Sequence, residues 1–171
     1  MTFKWLRLFP LVILLVSTSF FVSAFAQDDK NKPRLIILTD IGGGDTDDEQ
    51  SLVRFLNYAN EFEIEGFIAS TDVNSDGETT HPEAIEEIIR LYRDVHDHLV
   101  LHDPDYPSAE ALLSVVRDGQ SRAASWREVT ESVGPDKDTP ASQHIIDVVD
   151  REDPRPVNIT AWGGSADLAQ A

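Results

Sequence analysis

The feature of this sequence that most restricts its fold is an uninterrupted apolar run at residues 35–38, between Arg34 and Thr39. A strand with one wet face alternates apolar and polar residues, whereas a continuous run is typical of a strand buried on both faces. Such strands occur mostly in parallel sheets that helices cover on both sides. The run therefore predicts a strand inside a helix-covered sheet.

Apolar residues recur every three or four positions in two further segments, which predicts amphipathic helices over residues 49–62 and 82–96. A second buried strand is expected between them, at residues 65–70. The order strand, helix, strand, helix favours parallel pairing with right-handed crossovers. We therefore predict an open, doubly wound, mostly parallel α/β sheet of the Rossmann type. Both helices are preceded by a capping-box pattern, Thr46 with Glu49 and Thr80 with Glu83.

The second half of the chain carries weaker signals. Residues 120–140 are polar and rich in turn formers, which indicates a surface excursion with one weak helix near Trp126. Because a doubly wound sheet normally continues past its last turn, we expect this sequence to be the amino-terminal part of a longer domain. The other predicted elements are a short extended piece at 99–101, helices at 108–117 and 139–149, a strand at 157–162, and a turn entering a helix after residue 163.

The first 26 residues have the pattern of a secretory signal. Lys4 and Arg7 precede a long apolar stretch, and Ala24 and Ala26 form a small-residue cleavage site. A membrane anchor is the alternative, but Pro10 and hydroxyl residues interrupt the apolar part. We therefore predict a signal peptide at 1–26, a domain at 33–171, and a secreted or periplasmic protein with no stable membrane anchor.

Acidic residues dominate the charge, with 31 Asp and Glu against 14 Lys and Arg and a formal net charge of -17. A surface this acidic repels phosphate groups, which argues against nucleic acid as a partner. The chain has no cysteine, so an exported domain has to be stable without disulfide bonds.

The stretch TDIGGGDTDDEQSL, residues 39–52, puts three consecutive glycines and five acidic residues after the first strand. Ligands bind beyond the carboxyl ends of strands in open parallel sheets. A phosphate loop would need a Walker lysine or dinucleotide-type glycine spacing, and this loop has neither. Calcium or magnesium would convert carboxylate repulsion into coordination. Helix capping alone explains Thr46 and Glu49 but not Asp40, so metal binding and capping both stay open from the residues alone.

The segment RLIILTDIGGGDTDDEQSLVRFL resembles the amino-terminal motif of the nucleoside hydrolase superfamily. In that motif a strand ends in aspartate, a glycine-containing turn follows, and an Asp-Asp pair opens the first helix. The closer resemblance is to the nucleoside hydrolase-like domain of bacterial cellulose-binding proteins. The segments NEFEIEGFIAS, YPSAEALLSVV, VVDREDPRPV and WGGSADLAQA support it, and together they cover most of residues 33–171.

The resemblance implies a calcium site and a sugar site. Asp40 would bind the metal and also accept a proton from the attacking water. The implied metal ligands are Asp40, Asp48 and the backbone carbonyl of Ala166, and the implied sugar contacts are Asp47, Asn74 and Asp167, the last standing where the enzymes carry asparagine.

The resemblance further implies calcium-dependent hydrolysis of the N-glycosyl bond of nucleosides or related ribosides by metal-activated water. This chain departs from the enzymes in three ways. Leu38 replaces a further aspartate, six residues instead of three separate Asp40 from Asp47, and the late metal-binding aspartate has no counterpart before Ala171. No general acid can be assigned. Leu38 and the longer loop favour the alternative, a non-catalytic module that recognises plant polysaccharide such as cellulose. The presence of Asp40, Asp47 and Asp48 favours hydrolysis, which is the main expectation.

Two other groups of side chains have competing interpretations. His96, His98 and His102 are spaced closely enough for a zinc site, but they fall at a helix end and a polar turn, which indicates a solvated surface. His81 is interpreted as a helix-entry residue. Trp162 ends the last predicted strand beside the candidate site, where it would either pack in the core or stack on a sugar ring.

Overall fold

The computed structural model describes residues 32–42, 46–71, 80–120 and 132–171. The predicted signal peptide, Asn74 and the weak helix near Trp126 lie outside these residues. In chain order the described elements are β1 (Arg34–Thr39), α1 (Asp47–Leu56), a 3₁₀ turn (Ala59–Glu61), β2 (Glu63–Ala69), α2 (Pro82–Leu99), α3 (Ala109–Ser114), β3 (Val116–Asp118), α4 (Pro140–Val149), β4 (Val157–Ala161) and α5 (Ala166–Gln170).

The four described strands form one sheet in the order β3-β2-β1-β4, and every pair is parallel. The predicted open parallel α/β sheet is therefore confirmed. β1 lies inside the sheet, and all six of its residues are buried. Within the described part of the chain, no helix combines the length and the apolar character needed to cross a bilayer.

Helices cover both faces of β1, which explains its continuous apolar run. Leu35 and Ile37 face a core formed with α1, α2 and α3. Ile36 and Leu38 face the opposite side and pack with residues of α4. Because successive strand residues point to opposite faces, a strand between two helical layers buries its side chains on both faces, and the four central residues of β1 are all apolar.

The amino ends of β1 and β2 carry a buried ion pair that the sequence pattern did not indicate. The register moves from Leu35 opposite Ile64 to Ile36 opposite Gly66, so Glu65 is an extra residue in a β-bulge. The guanidinium of Arg34 donates to the Glu65 carboxylate, and both side chains are almost fully buried. The same guanidinium also donates to the carbonyl of Val148 in α4, at 2.8 Å, and Arg151 donates to the second oxygen of Glu65. His144 of α4 bonds the Glu65 carbonyl through Nε2, at 2.6 Å.

Several predicted boundaries were wrong. The helix expected over 49–62 ends at Leu56, and a separate 3₁₀ turn follows it. Residues 99–101 are not extended, because α2 continues to Leu99, whose side chain packs on the α1–α2–α3 core. The third strand lies instead at Val116–Asp118 and overlaps the end of the helix expected at 108–117, of which Ala109–Ser114 is helical. It forms there because it pairs in parallel with β2, a distant contact that local periodicity does not report.

The capping box predicted at the start of α1 is also wrong. Thr46 occupies the N-cap position, but its side chain makes no capping bond; its hydroxyl accepts instead from Gln50 Nε2, at 3.1 Å. A complete capping box is present at α4, where the Thr139 hydroxyl accepts from the Ser142 amide and the Ser142 side chain accepts from the Thr139 amide. The acidic residues at the start of α1 are therefore not accounted for by side-chain capping.

Replacing Asp153 by asparagine should make the free energy of unfolding fall less steeply as the pH is lowered. Hydrogen bonds from the side chain and then the amide of Arg155, with a further contribution from Arg34, hold the Asp153 pKa well below its usual range. The folded carboxyl therefore binds its proton less readily than the unfolded one, whose pKa is about 3.9. Its stabilising contribution is present above that pH and is lost as the pH falls.

Urea unfolding at a series of pH values between about 5 and 2 measures this slope. Asp153→Asn should lose stability less steeply than the wild type over this range. Asp94→Asn, at an exposed position of α2, is the matched control and should keep the wild-type slope. Equal slopes for wild type and Asp153→Asn would contradict the prediction.

Candidate functional site

Three strands end together at the carboxyl edge of the sheet, and Asp40 lies where they meet. Asp40 follows β1 directly, and a Cβ built on Gly163, just after β4, would overlap its carboxylate. The Asp40 side chain therefore lies against the α-carbon of Gly163. Ser70, the first residue after β2, donates from its hydroxyl to the carbonyl of Gly163, at 2.6 Å. The ends of β1, β2 and β4 are thus brought together around one carboxylate.

The turn after β4 depends on glycine. Gly164 has a φ of +64°, and a Cβ there would collide with the carbonyl of Thr71. Glycine satisfies both conditions, because it lacks a Cβ and adopts positive φ readily. The turn leads into α5, whose first residue is Ala166. The assignment of the Ala166 carbonyl as a metal ligand stays a prediction.

The acidic pair at the start of α1 is attached to the end of β1. Asp48 is buried, and its Oδ2 accepts a hydrogen bond from the Thr39 hydroxyl. The same Thr39 oxygen accepts from the amide of Ile41, at 3.2 Å. Asp47 is exposed, and its Oδ1 accepts from the amide of Asp48, at 3.0 Å. Thr39, the residue that precedes Asp40, therefore attaches Asp48 to the end of β1, while Asp47 stays accessible to a ligand.

Asp167, the third predicted sugar contact, is buried and hydrogen-bonded within the protein. Its side chain is buried, with the residue only 1% exposed. Oδ1 accepts from the Thr139 hydroxyl at 2.6 Å, and Oδ2 accepts from the Gln120 amide at 3.2 Å. Burial raises the pKa of Asp167, and these two hydrogen bonds oppose the rise. The structure brings Asp167 into contact with other parts of the protein.

His81 is a residue of this edge that sequence reasoning missed. Gly42 has a φ of +85°, and a Cβ there would lie 2.6 Å from the imidazole Cγ of His81. His81 Nδ1 is 2.8 Å from Glu83 Oε1, and this hydrogen bond lowers the pKa of Glu83. The capping box predicted for Thr80 and Glu83 is therefore wrong, because the Thr80 hydroxyl donates to Asp118 instead. His81 covers the start of the acidic glycine loop, which local sequence could suggest only through its place at a helix entry.

The described carboxylates fit a calcium ion only in part. Within the residues that the structure describes, no group of three His, Cys, Asp or Glu side chains is arranged to hold a metal. Calcium prefers six to eight oxygen ligands, and Asp40 and Asp48 supply carboxylates from the predicted set. Glu49 of α1 has one carboxylate oxygen, Oε2, that is buried without a hydrogen-bond partner. Asp45 and Asn74 lie outside the described residues.

The structure separates the remaining candidates. Trp162 packs against the α1–α2–α3 core, with its ring 6.4 Å from that of Phe55 in an edge-to-face arrangement. The ring therefore packs on the core, and because the residue is only partly buried, stacking on a sugar ring stays a prediction. His98 and His102 are exposed, as predicted, whereas His96 is partly buried and its Nε2 lies 3.3 Å from the Tyr106 carbonyl.

Comparison with known proteins matches this architecture to one family. Residues 34–171 match the family described as Cellulose-binding Sde182, nucleoside hydrolase-like domain. The chain is also 38% identical to a solved structure of a nucleoside hydrolase-related hypothetical protein from Saccharophagus degradans that is associated with carbohydrate metabolism, with a TM-score of 0.74. The match covers 82% of this chain and 32% of that one, so this chain spans about a third of its length. The comparison with curated proteins gave no match. Since the family match covers most of the chain, the chain belongs to the family of cellulose-binding Sde182 nucleoside hydrolase-like domains.

Proposed function

We propose that this domain binds a plant polysaccharide of the cellulose type at the carboxyl edge of its sheet, with Asp40 as the central contact. The observation that carries the proposal is the Asp40 carboxylate, held against Gly163 where β1, β2 and β4 end. The description of the family as cellulose-binding, and the association of the solved relative with carbohydrate metabolism, support this ligand class.

The chemistry of the site suits a neutral, hydroxyl-rich ligand. Carboxylates accept hydrogen bonds from hydroxyl groups, and such charge-assisted bonds are stronger than neutral ones. Asp47, exposed in the first turn of α1, offers a second acceptor near the end of β1. A net charge of -17 repels phosphorylated ligands but has no such effect on an uncharged glucan.

Retention on cellulose tests this proposal. The purified chain should be retained by microcrystalline cellulose and should bind soluble cello-oligosaccharides in calorimetry. Asp40→Asn should weaken binding at least tenfold, because one charged acceptor is lost at the centre of the site. Asp94→Asn, which removes the same charge from the exposed side of α2, should bind like the wild type. No retention of the wild type, or equal retention by Asp40→Asn, would reject the proposal.

A second candidate is calcium-dependent hydrolysis of N-glycosyl bonds, as the resemblance to the superfamily implies. The observation that favours it is the attachment of the buried Asp48 carboxylate to the end of β1 through the Thr39 hydroxyl. Calcium bound there would supply an acidified water molecule. In this candidate Asp40 would act as the proton acceptor and Asp47 would hold the sugar hydroxyls.

Calorimetric titration with calcium is the first test of this second candidate. The wild type should bind the ion, and Asp48→Ala should bind it at least tenfold more weakly, because a buried carboxylate is removed. A hydrolysis assay on nucleosides, with calcium or with a chelator, then separates binding from catalysis. Absence of calcium binding, or no release of base in the presence of calcium, would rule this candidate out.

Export is part of the proposal. The basic start, apolar stretch and Ala24–x–Ala26 site support cleavage after Ala26. Expression of the chain from its first residue should give a secreted or periplasmic product that begins at Gln27. A product that keeps residues 1–26 and stays with the membrane would support the anchor instead.

A further inference from the structure

Asp167 contacts two segments that are distant from it in the sequence. Its Oδ2 accepts from the amide of Gln120, just after β3, and its Oδ1 accepts from the hydroxyl of Thr139, at the start of α4. Gly119 makes room for this contact, because a Cβ there would overlap Asp167 Oδ2 and would lie 2.6 Å from the carbonyl of Ala69. α5, the end of β3 and the start of α4 therefore meet at one buried carboxylate.

Each partner of Asp167 holds a further part of the same edge. The Thr139 hydroxyl accepts from the amide of Ser142 at 2.9 Å, so it caps α4 while it donates to Asp167. The carbonyl of Gln120 accepts from the Thr71 hydroxyl at 3.3 Å, which connects the segment after β2. Asp167 is thus linked to the loops that follow β2 and β3, and the loop after β2 carries Ser70, the partner of Gly163.

We infer that Asp167 is a positioning residue that holds in place the residues directly after β2 and β3 and the start of α4, and that it does not bind the ligand itself. Both of its oxygens face donors of the protein, and 1% exposure leaves no surface for a sugar hydroxyl. The location of the ligand site rests on the proposed function. Asp167, whose position resembles that of a sugar-binding asparagine in the enzymes, then stabilises the fold. Asp40 and Asp47 contact the ligand.

The carboxylate matches its partners better than an amide would. The Gln120 amide and the Thr139 hydroxyl are both donors, and a carboxylate offers each an acceptor oxygen. Asparagine offers one acceptor oxygen, and its NH₂ group has to face one of the two donors. Asp167→Asn should therefore keep the Gln120 bond and weaken the Thr139 bond, whereas Asp167→Ala should lose both.

Amide hydrogen exchange of the ligand-free protein tests the inference. Asp167→Ala should speed exchange at the Gln120 and Ser142 amides at least tenfold and lower the urea midpoint, and Asp167→Asn should fall between Ala and wild type. The opposite result would be an Asp167→Ala variant whose amide exchange and urea midpoint equal those of the wild type but whose retention on cellulose is weakened. That result would overturn the inference and identify Asp167 as a ligand contact.

Two substitutions at Thr139 keep the test decisive if Asp167→Ala does not fold. Thr139→Ser retains the hydroxyl and should exchange like the wild type at Gln120. Thr139→Val removes the hydroxyl and should speed exchange at Gln120 as well as at Ser142, because Thr139 reaches Gln120 through Asp167. Unchanged exchange at Gln120 in Thr139→Val would contradict the inference. None of these exchange measurements requires a ligand, so failure of the proposed cellulose binding would leave them unaffected.

Discussion

Replacing Arg34 by methionine is expected to lower the free energy of unfolding by about 3–5 kcal/mol, the usual cost of removing one partner from a buried ion pair. Arg34 is 1% exposed, and the side chain of Glu65 is 3% exposed. Without Arg34, the Glu65 carboxylate remains buried, with Arg151 as a half-exposed cationic partner. The carbonyl of Val148 also loses a donor. Urea unfolding of the purified variant measures the change.

The double variant Arg34→Met with Glu65→Leu is the informative control. It should recover most of the lost stability, because an apolar pair leaves no buried charge behind. Arg90→Met removes an arginine from an exposed ion pair with Glu86 and should change stability by no more than about 0.5 kcal/mol. If Arg34→Met and Arg90→Met lose similar amounts of unfolding free energy, the buried ion pair stabilises the fold no more than the exposed one.

Replacing Gly163 by alanine should weaken retention on cellulose at least tenfold, or by about 1.4 kcal/mol. The new methyl group would overlap the Asp40 carboxylate, so this side chain has to leave its place between the strand ends. The expected cost in stability is about 1–3 kcal/mol, as for other overpacked sites. The effect on binding follows from the proposed role of Asp40, and the cellulose pull-down measures it.

Two comparisons separate this displacement from general damage. Gly134→Ala adds a methyl group where nothing lies within 4 Å, at a φ of +132°, and it should retain cellulose binding despite its backbone strain. In the Asp40→Ala background, Gly163→Ala should cause little further loss of binding, because substitutions that act through one side chain are not additive. If Gly163→Ala binds cellulose as the wild type does, Asp40 is not part of the ligand site.

Much of the fold could be predicted from local patterns. The continuous apolar run at 35–38 lies within β1 (Arg34–Thr39), and its predicted burial on both faces is confirmed. The helix predicted at 139–149 begins one residue later, at Pro140, with Thr139 as its cap. These predictions succeeded because burial, helical period and capping each depend on residues close together in sequence.

Predictions failed where distant partners decide the structure. β3 lies inside a segment with helical periodicity, and its pairing with Phe67, Ile68 and Ala69 of β2 makes it a strand. Thr80 has the right spacing to cap α2, yet its hydroxyl donates a hydrogen bond to Asp118, 38 residues away. A propensity of a few tenths of a kcal/mol is too weak to resist such contacts.

The sequence by itself determined the parallel α/β sheet, the acidic glycine loop at its carboxyl edge and the place of Asp40 after β1. Only the tertiary structure decided which polar side chains meet. A bulge places Glu65 next to Arg34. Close packing places Gly163 against Asp40. The buried Asp167 accepts hydrogen bonds from Gln120 and Thr139. The type and spacing of side chains indicate which ligands or partners a residue is able to bind. Strand register and backbone approach determine its actual partner, and these depend on contacts across the whole sheet.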